Sequence, residues 1–267
     1  MKILESKCGD NYMWWFEKGN TIFLIFIFLC LVSLPSLSAK ELHFANEHWP
    51  PYIIMEGTHK ASGIDVDIIT EIANRLGVSV EIANCDWLYC LRMIENGRTD
   101  IISSALKHPE REKYMNYIEP PYIEKSTKLF YLRKGQAHKI KKYENIYQLN
   151  IGVLKGSLYF SPFDKDSNIQ KVEVLKTEQL LPMLKMGRID ALIGTEIVID
   201  YLIQLHSYEG LFDKSVFRYD LKTPFHFAIS KKSYFSKEID KFNSILKSLI
   251  KEGFVQEIID KYNKKPH

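Results

Sequence analysis

The segment SSALKHPER contains residue types that bind anions. Ser103 and Ser104 supply two hydroxyls at its start, and Arg111 closes it. A guanidinium presents its donors in a planar fork that fits a carboxylate with two parallel hydrogen bonds, so this arrangement predicts a carboxylate site. The alternative is a surface ion pair between Arg111 and Glu110 or Glu112, and the residue types alone favour that alternative.

A second candidate for chemistry is the cysteine pair in NCDWLYCL, Cys85 and Cys90. If the chain is exported, an even number of cysteines in an oxidising compartment favours a disulfide. Cys90 also falls in an apolar helical pattern, so two reduced, packed thiols are the alternative, and both stay open. No histidine lies at ligand spacing beside the pair, so no metal site is predicted. The histidines lie in separate segments, at His43, His48, His59 and His108.

Composition places the chain among ordinary globular proteins. It has 267 residues, 46% of them hydrophobic and 26% charged, with a formal net charge of +3, which indicates one or two domains. No basic block with interleaved aromatics points to nucleic acid, and the lysine-rich HKIKKYENIY predicts a solvated face. The sequence contains no Ser-His-Asp constellation, phosphate loop or zinc pattern, so we predict neither a cofactor nor catalysis.

The N-terminal segment, residues 1–39, differs in character from the rest. TIFLIFIFLCLVSLPSLSA has an apolar core, the helix-breaking Pro35 and small residues at its end, which is the layout of a secretory signal peptide cleaved near Ala39. An uncleaved membrane anchor is the alternative, because the apolar stretch matches the shorter membrane-spanning helices in length. A start at Met13 instead of Met1 gives a more regular signal. We therefore predict an exported, periplasmic protein.

Strands and helices alternate after this segment. The periodicity predicts strands in ELHFAN, VSVEIAN and TDIISSA, separated by helices in IDVDIITEIANRLG and WLYCLRMIENG that end at Gly77 and Gly97. This β-α-β-α-β order implies a largely parallel sheet covered by helices, and ligands of such sheets bind beyond the carboxyl ends of the strands. The serine pair and Arg111 therefore fall at the expected place for a ligand.

The second half repeats this organisation. NIGVLKGS, KVEVLK and IDALIGT read as strands, and TEQLLPMLKMGR reads as a helix with Thr177 as its cap. The last segment is helical, with a break at Gly253. MIENGRTDIISS and MLKMGRIDALIGT each combine a helix end, a Gly-Arg turn, an aspartate and an apolar strand, which predicts two similarly built lobes.

The ensemble WPPY…GIDVDIITEIANRLG…DW…CL…DIISSAL, followed by IGVLKGS and GRIDALIG, resembles one family. It is similar to the bacterial extracellular solute-binding proteins of polar amino-acid transporters, which have the type II periplasmic binding fold. The resemblance implies two α/β lobes, each a mostly parallel sheet covered by helices, joined by strands that cross at Glu124–Leu129 and Leu221–Phe225. The implied boundaries are residues 40–125 plus 223–267 for lobe 1 and residues 126–222 for lobe 2.

The resemblance also implies roles for individual residues. In this family the serines and the arginine after the third strand bind a ligand carboxylate, and by position these are Ser103, Ser104 and Arg111. Gly156 and Ser157 match a turn whose backbone N–H groups and hydroxyl hold the same carboxylate from lobe 2.

Two tryptophans match aromatic positions of the family. Trp49, before Pro50, lies where the family often places an aromatic ring against the ligand side chain, with a core or hinge-facing aromatic as the alternative. Trp87 matches a recurrent tryptophan at the start of the second helix. It either walls the cleft or packs in the core, and both readings stay open.

The sequence departs from the family pattern at two positions. Thr195 stands where the family usually places an aspartate for the ligand ammonium, with Glu196 next to it. Leu106 stands where a further hydroxyl is usual. We therefore expect carboxylate recognition to be retained, whereas either Glu196 takes the ammonium or the ligand is not an ordinary α-amino acid.

These features predict a periplasmic protein that closes on a small carboxylate-bearing solute, an amino acid or a relative, and delivers it to a membrane transporter. We expect a monomer whose partner is an inner-membrane permease. The alternatives are a ligand-presenting protein that acts on a separate membrane sensor, and an enzyme similar to the cyclohexadienyl dehydratases of this fold. In such an enzyme, Glu47 or Glu196 would serve as the general acid.

Overall fold

The computed structural model of the chain describes residues 40–57, 60–219 and 223–263. The predicted signal peptide with its cleavage near Ala39 lies outside the described residues, and so does Leu221 of the second predicted crossing. Within the described ranges, no helix combines the length and the apolar character that crossing a membrane requires.

Twelve strands and eight α-helices form the described part of the chain. The strands are β1 (Glu41–Asn46), β2 (Ile54–Glu56), β3 (Lys60–Ser62), β4 (Ser79–Asn84), β5 (Ile101–Ala105), β6 (Met115–Tyr117), β7 (Lys128–Arg133), β8 (Asn150–Leu154), β9 (Gln170–Val174), β10 (Ala191–Thr195), β11 (Phe212–Tyr219) and β12 (His226–Ser230). The helices are α1 (Ile64–Leu76), α2 (Trp87–Asn96), α3 (Pro109–Glu112), α4 (Ser161–Lys165), α5 (Leu180–Lys185), α6 (Glu196–Leu205), α7 (Ile239–Lys251) and α8 (Phe254–Asn263). Short 3-10 helices lie at Ala137–Lys139, Tyr143–Gln148, Thr177–Gln179 and Tyr234–Glu238.

Two five-stranded sheets organise these elements. The first has the strand order β4-β1-β5-β12-β6, and the second has the order β11-β7-β10-β8-β9. In the first sheet β1 pairs in parallel with β4 and β5, and in the second β8 pairs in parallel with β9 and β10. The carboxyl ends of these parallel strands lie at Asn46, Ala105, Leu154 and Thr195.

Both sheets are mixed, which differs from the mostly parallel sheets that the sequence predicts. β12 runs antiparallel to β5 and β6, and β7 runs antiparallel to β10 and β11. Parallel neighbours need a crossover connection, usually a helix, that brings the chain back to the same edge. β7 and β12 instead enter their sheets directly from the other sheet, so they arrive in the opposite direction.

Local sequence determines where the main helices end. Helix α1 buries Ile68, Ile69 and Ile72, as its apolar periodicity predicts, and it ends at Gly77. The C-terminal helical segment breaks at Gly253, whose φ of 83° lies in the left-handed region that favours glycine. These predicted helix ends are confirmed.

In the segment TEQLLPMLKMGR the α-helix begins further along the chain than the sequence predicts. Thr177 begins a 3-10 helix and does not cap α5, which starts at Leu180. The Thr177 hydroxyl donates instead to Glu47 Oε1 in the other half of the molecule, at 3.2 Å. The predicted capping role of Thr177 is therefore wrong, because a long-range partner takes its hydroxyl.

The chain crosses between the sheets along two neighbouring segments. Phe225 N–H donates to Ile123 O at 2.9 Å, and the Ser126 and Thr223 hydroxyl oxygens lie 2.7 Å apart. We call the first sheet with its helices lobe 1 and the second sheet with its helices lobe 2. The boundaries given above for the two lobes stay a prediction.

A disulfide joins Cys85 and Cys90, whose Cα atoms are 5.6 Å apart. Cys85 follows β4 directly and Cys90 lies within α2, so the bridge closes the turn that leads from strand to helix. Trp87 lies inside the closed segment. The disulfide prediction is confirmed, and the alternative of two reduced thiols is not observed.

Candidate ligand-binding site

A cavity of about 60 Å³ lies where the carboxyl ends of the parallel strands of both lobes meet. Its position agrees with the place at which parallel sheets bind ligands. Its walls combine aromatic and aliphatic side chains with a few polar groups. The polar side chains are Asn46, Glu47, Ser104, Arg111, Lys128, Ser157, Tyr159, Thr177 and Thr195.

Arg111 brings a buried guanidinium to this cavity. It lies on α3 with 6% of its surface exposed, and it donates to Leu106 O at 3.2 Å and to Gly156 O at 2.9 Å. Its guanidinium also lies 5.5 Å from the centre of the Trp87 ring. Among the described residues, no carboxylate lies within 4.0 Å of Arg111, so the surface ion pair with Glu110 or Glu112 is absent.

The serine pair is tied to a buried carboxyl, Asp65 of α1. The Ser103 and Ser104 hydroxyls donate to Asp65 Oδ2 at 2.5 and 2.8 Å. Burial raises the pKa of Asp65 to about 7, and the two serine hydrogen bonds act against that rise. Ser103 is fully buried and does not line the cavity, whereas Ser104 does. With its hydrogen directed at Asp65, the Ser104 hydroxyl offers the cavity an acceptor.

The turn after β8 meets lobe 1 through a backbone carbonyl. Gly156 has a φ of 81°, and its carbonyl oxygen accepts from Arg111 and from the Trp87 ring N–H, the latter at 3.3 Å. The Ser157 N–H donates to Leu154 O within the turn, at 3.1 Å. Ser157 therefore brings its side chain to the cavity, while its backbone donor is used locally.

Both predicted tryptophans line the cavity. Trp49 is half-buried and stacks on Tyr52 with ring centres 5.1 Å apart, and it meets Phe225 edge to face at 5.5 Å. Trp87 is 6% exposed and packs against Arg111 and the β8 turn. Each ring thus has core contacts on one side and the cavity on the other.

Thr195 and Glu196 are neighbours in sequence that face different places. Thr195 ends β10 and lines the cavity, as does Leu106. Glu196 begins α6, and its carboxylate binds Lys214 at 2.8 Å and Arg218 at 3.0 Å. Because Glu196 lies in a second groove behind the crossing segments, the structure does not bring it to the cavity.

Lys128 is a cavity residue that the sequence analysis missed. It is the first residue of β7 and only 3% exposed, and its Nζ donates to Thr195 Oγ1 at 2.5 Å. Nζ also lies 4.7 Å from the centre of the Phe225 ring. None of the described carboxylates lies within 4.0 Å of it. Burial lowers the pKa of Lys128 to about 7, whereas an anion beside the amine would raise that pKa again.

Glu47 is the single carboxyl among the described residues that line the cavity. It is 6% exposed and accepts from the Thr177 hydroxyl of lobe 2. Burial raises the pKa of Glu47 to about 8, and the nearby Asp86 and Glu178 add to that rise. The proton is therefore held on Glu47 near neutral pH, and the charged groups of the cavity are predominantly cationic.

Further contacts between the lobes surround the cavity. His48 Nε2 lies 3.5 Å from Glu178 Oε1, and Lys176 Nζ lies 3.7 Å from Asp86 Oδ1. Together with the hydrogen bonds of Arg111, Trp87 and Glu47, these pairs hold the lobes together over the site.

A family model of bacterial extracellular solute-binding proteins, family 3, matches residues 43–265. The chain belongs to this family. A probable amino-acid ABC transporter-binding protein of Haemophilus influenzae is 26% identical over 215 residues, which cover 79% of each chain. An arginine-binding periplasmic protein of Mannheimia haemolytica is 22% identical over 244 residues, which cover 90% of this chain and 96% of that one.

Solved structures share the fold. An ancestral arginine-binding protein bound to arginine superposes with a TM-score of 0.72 at 23% sequence identity, covering 83% of this chain and 97% of the other. The predicted family and the α/β fold of the type II periplasmic binding proteins are therefore confirmed.

An exposed group of metal-ligating residue types lies away from the cavity. Glu41, His43 and Glu81 bring one ligand atom each within 4.8 Å on β1 and β4, and the described residues contain no other such group. His43 Nδ1 lies 2.7 Å from Glu81 Oε2, with half of each side chain exposed. A solvated surface pair accounts for this arrangement.

Proposed function

We propose that this family member is the solute-binding component of an ABC transporter and that it binds a small carboxylate-bearing solute, an amino acid or a relative, between its lobes. Residues 40–125 plus 223–267 and residues 126–222 form the two lobes, and a hinge motion about the crossing segments closes them. The family match and the names of the relatives support the transport role.

The observation that supports carboxylate binding best is the environment of Arg111. A buried guanidinium in an apolar setting needs a counter-charge or good acceptors, and here its partners in the described chain are two backbone carbonyls. A ligand carboxylate supplies both the charge and the matching geometry. Trp87, which packs against the guanidinium, and Trp49 then wall the ligand, with Ser104, Gly156, Ser157 and Thr195 around it.

A ligand screen tests the proposed function. Thermal unfolding of the mature protein is followed with amino acids, other carboxylic acids, and polyamines as a set without carboxylates. A solute at 100 times its Kd stabilises the folded state by about 2.7 kcal/mol, which a melting curve resolves. Stabilisation by carboxylic acids supports the proposal. Stabilisation by polyamines alone, or by no compound, contradicts it.

The location and the assembly state belong to the same proposal. Residues 1–39 act as a signal peptide cleaved near Ala39, and the mature chain works as a periplasmic monomer that docks on an inner-membrane permease. N-terminal sequencing of protein recovered from the periplasm checks the cleavage site. Light scattering of the mature chain checks the mass of the monomer.

Glu47 favours one rival activity, because a protonated carboxyl in a cavity has the form of a general acid. In a cyclohexadienyl dehydratase-like reaction it would protonate the leaving group. Incubation with a cyclohexadienyl acid, followed by absorbance of the aromatic product, separates the two functions. We expect binding without turnover. Product formation that Glu47→Gln abolishes would establish the enzyme instead.

A further inference from the structure

The cavity contains two buried basic side chains with separate surroundings. Arg111 contacts Leu106, Gly156 and Trp87, whereas Lys128 contacts Thr195 and Phe225. Neither side chain has a carboxylate of the described chain within 4.0 Å. One solute carboxylate on Arg111 therefore leaves the Lys128 amine to be satisfied separately.

The Lys128 side chain lines the cavity and has more N–H donors than acceptors around it. An ammonium has three N–H donors, and in the described chain one of them has a hydrogen-bond acceptor, Thr195 Oγ1. The side chain is 3% exposed and lies at the start of β7, directly after the crossing segment. A buried donor of this kind is costly unless a further acceptor completes it.

Beside Lys128, the described side chains offer no free carboxylate for a solute ammonium. Thr195 contributes a hydroxyl whose oxygen already accepts from Lys128, and Glu196 is bound to Lys214 and Arg218 elsewhere. Glu47, the one carboxyl of the described cavity residues, is engaged by Thr177. A positive charge placed beside Lys128 is repelled by it.

We infer that the site selects carboxylic acids whose second polar group is an uncharged or anionic acceptor, such as an oxo, hydroxyl or second carboxylate oxygen, and that Lys128 binds this group. The inference rests on the carboxylate-binding function proposed above. It makes the solute a relative of an amino acid that lacks the free ammonium. Arg111 then holds one carboxylate while Lys128 and Thr195 receive the acceptor.

Matched pairs of solutes test this selection. Calorimetry is performed with pyruvate and L-alanine, 4-methyl-2-oxopentanoate and L-leucine, phenylpyruvate and L-phenylalanine, and 2-oxoglutarate and L-glutamate. Within each pair, an oxo group replaces the ammonium and the hydrogen on the α-carbon. For the pairs that bind, we expect the oxo acid to bind at least about tenfold more tightly, because like charges brought together in a partly buried site repel each other.

Two variants assign the preference to Lys128. Lys128→Met removes the charge and shortens the unbranched side chain by one heavy atom, so the oxo acid should lose its advantage over the amino acid. Thr195→Asp retains Lys128 but places a carboxylate beside it, and it should abolish or reverse the preference. The second variant keeps the assignment testable if the first does not fold, and circular dichroism checks the fold of both.

Each outcome has one meaning. Tighter binding of the oxo acid that both variants reduce supports the inference. Equal or tighter binding of the amino acid by the unmodified protein overturns the inference and leaves the carboxylate-binding function in place. An oxo-acid preference that survives Lys128→Met overturns the role of Lys128. If no member of any pair binds, the inference fails, and the ligand screen described above decides the proposed function separately.

Discussion

Four ionisable side chains in and beside the cavity are almost fully buried. Arg111, Lys128, Glu47 and Asp65 are each at most 6% exposed. A buried ionisable group persists where its hydrogen bonds or a partner offset the loss of water. Three of them line one cavity and Asp65 bonds the cavity residue Ser104, which is typical of a functional site and not of a core that is optimised for stability alone.

Replacement of Arg111 should weaken solute binding. Arg111→Ala leaves the solute carboxylate without its partner, and we expect a loss of about 2–5 kcal/mol in binding free energy by calorimetry. Arg111→Lys should show a smaller loss of binding free energy, because the charge is kept but the planar fork is absent. Because Arg111 is buried and bonded to Leu106 and Gly156, Arg111→Ala should also lower the unfolding free energy by about 1–3 kcal/mol.

The exposed Arg92 of α2 provides the matched control. Arg92→Ala removes the same side chain from the same lobe and should change neither binding nor stability by more than about 0.5 kcal/mol. Unchanged affinity in Arg111→Ala would show that the guanidinium is structural and that the carboxylate binds elsewhere.

Glu47 should make stability depend on pH. Its pKa is about 8 in the folded protein against an ordinary value of 4.5, so between these values the folded state keeps a proton that the unfolded chain releases. Stability is therefore lost as pH rises from 4.5 towards 8. Glu47→Gln has no proton to release at this position on unfolding. The unfolding free energy of the variant minus that of the unmodified protein should therefore increase with pH, by up to about 1.4 kcal/mol per pH unit.

Urea unfolding at pH 5, 6 and 7 measures this difference. Asp65, whose pKa burial also raises, is present in both proteins and cancels in the comparison. Glu95→Gln, at an exposed position of α2, is the control and should show a flat difference. A flat difference for Glu47→Gln as well would mean that the carboxyl is ionised and solvated throughout.

At the scale of elements, local sequence determines more of the helices than of the sheets. Periodicity and a following glycine predict α1 and α2 to within a residue, because caps and an apolar face are local properties. The antiparallel insertion of β12 between β5 and β6 depends on the path of the chain through the other lobe. No local pattern encodes that path.

The same distinction separates the site residues. Resemblance predicts Arg111, Ser104, Thr195 and both tryptophans, because their positions follow local motifs. Lys128 has no such signal, since a lysine that precedes an apolar strand usually lies at a solvated end. Its burial results from the return of the crossing segment with Phe225, almost a hundred residues later. Glu196 is the opposite case, a predicted site residue that does not line the cavity, because its neighbour Thr195 occupies the cavity-facing position.

The turn after β8 should respond to substitution differently from an equivalent turn elsewhere. Gly156 and Gly135 have φ values of 81° and 80°, so replacement by alanine imposes the same strain of about 1–2 kcal/mol at each. A Cβ at Gly156 would lie 3.3 Å from Leu88 of lobe 1, whereas a Cβ at Gly135 meets nothing within 4 Å.

We therefore expect both alanine variants to lose similar unfolding free energy, and Gly156→Ala alone to weaken solute binding by calorimetry. Equal affinities in the two variants would indicate that the β8 turn does not approach lobe 1 when the solute is bound.

At the scale of the whole molecule, the proposed hinge motion makes affinity depend on contacts between the lobes. Any contact made in the closed form alone adds to the apparent affinity for a solute that binds between the lobes. The Lys176–Asp86 pair joins the two lobes in this structure, and neither residue lines the cavity.

Reversal of this pair should alter affinity without touching the solute. Lys176→Glu places a carboxylate against Asp86 and should weaken binding by about 1.4- to fivefold, in line with exposed ion pairs of about 0.2–1 kcal/mol. The double variant Asp86→Lys and Lys176→Glu should restore affinity, and added salt should reduce the effect of the single variant. Calorimetry at two salt concentrations measures both. If the change in binding free energy of the double variant equals the sum of the two single changes, the two side chains do not meet in the bound form.

The disulfide has a consequence for how the protein matures. Its cysteines are only five residues apart, so they can meet before either sheet is complete. The precursor has four cysteines, at Cys8, Cys30, Cys85 and Cys90, and four thiols permit three different complete pairings. Removal of the proposed signal peptide discards the first two. With the signal peptide cleaved as proposed, one pairing is left, and the mature chain needs no disulfide reshuffling to reach it.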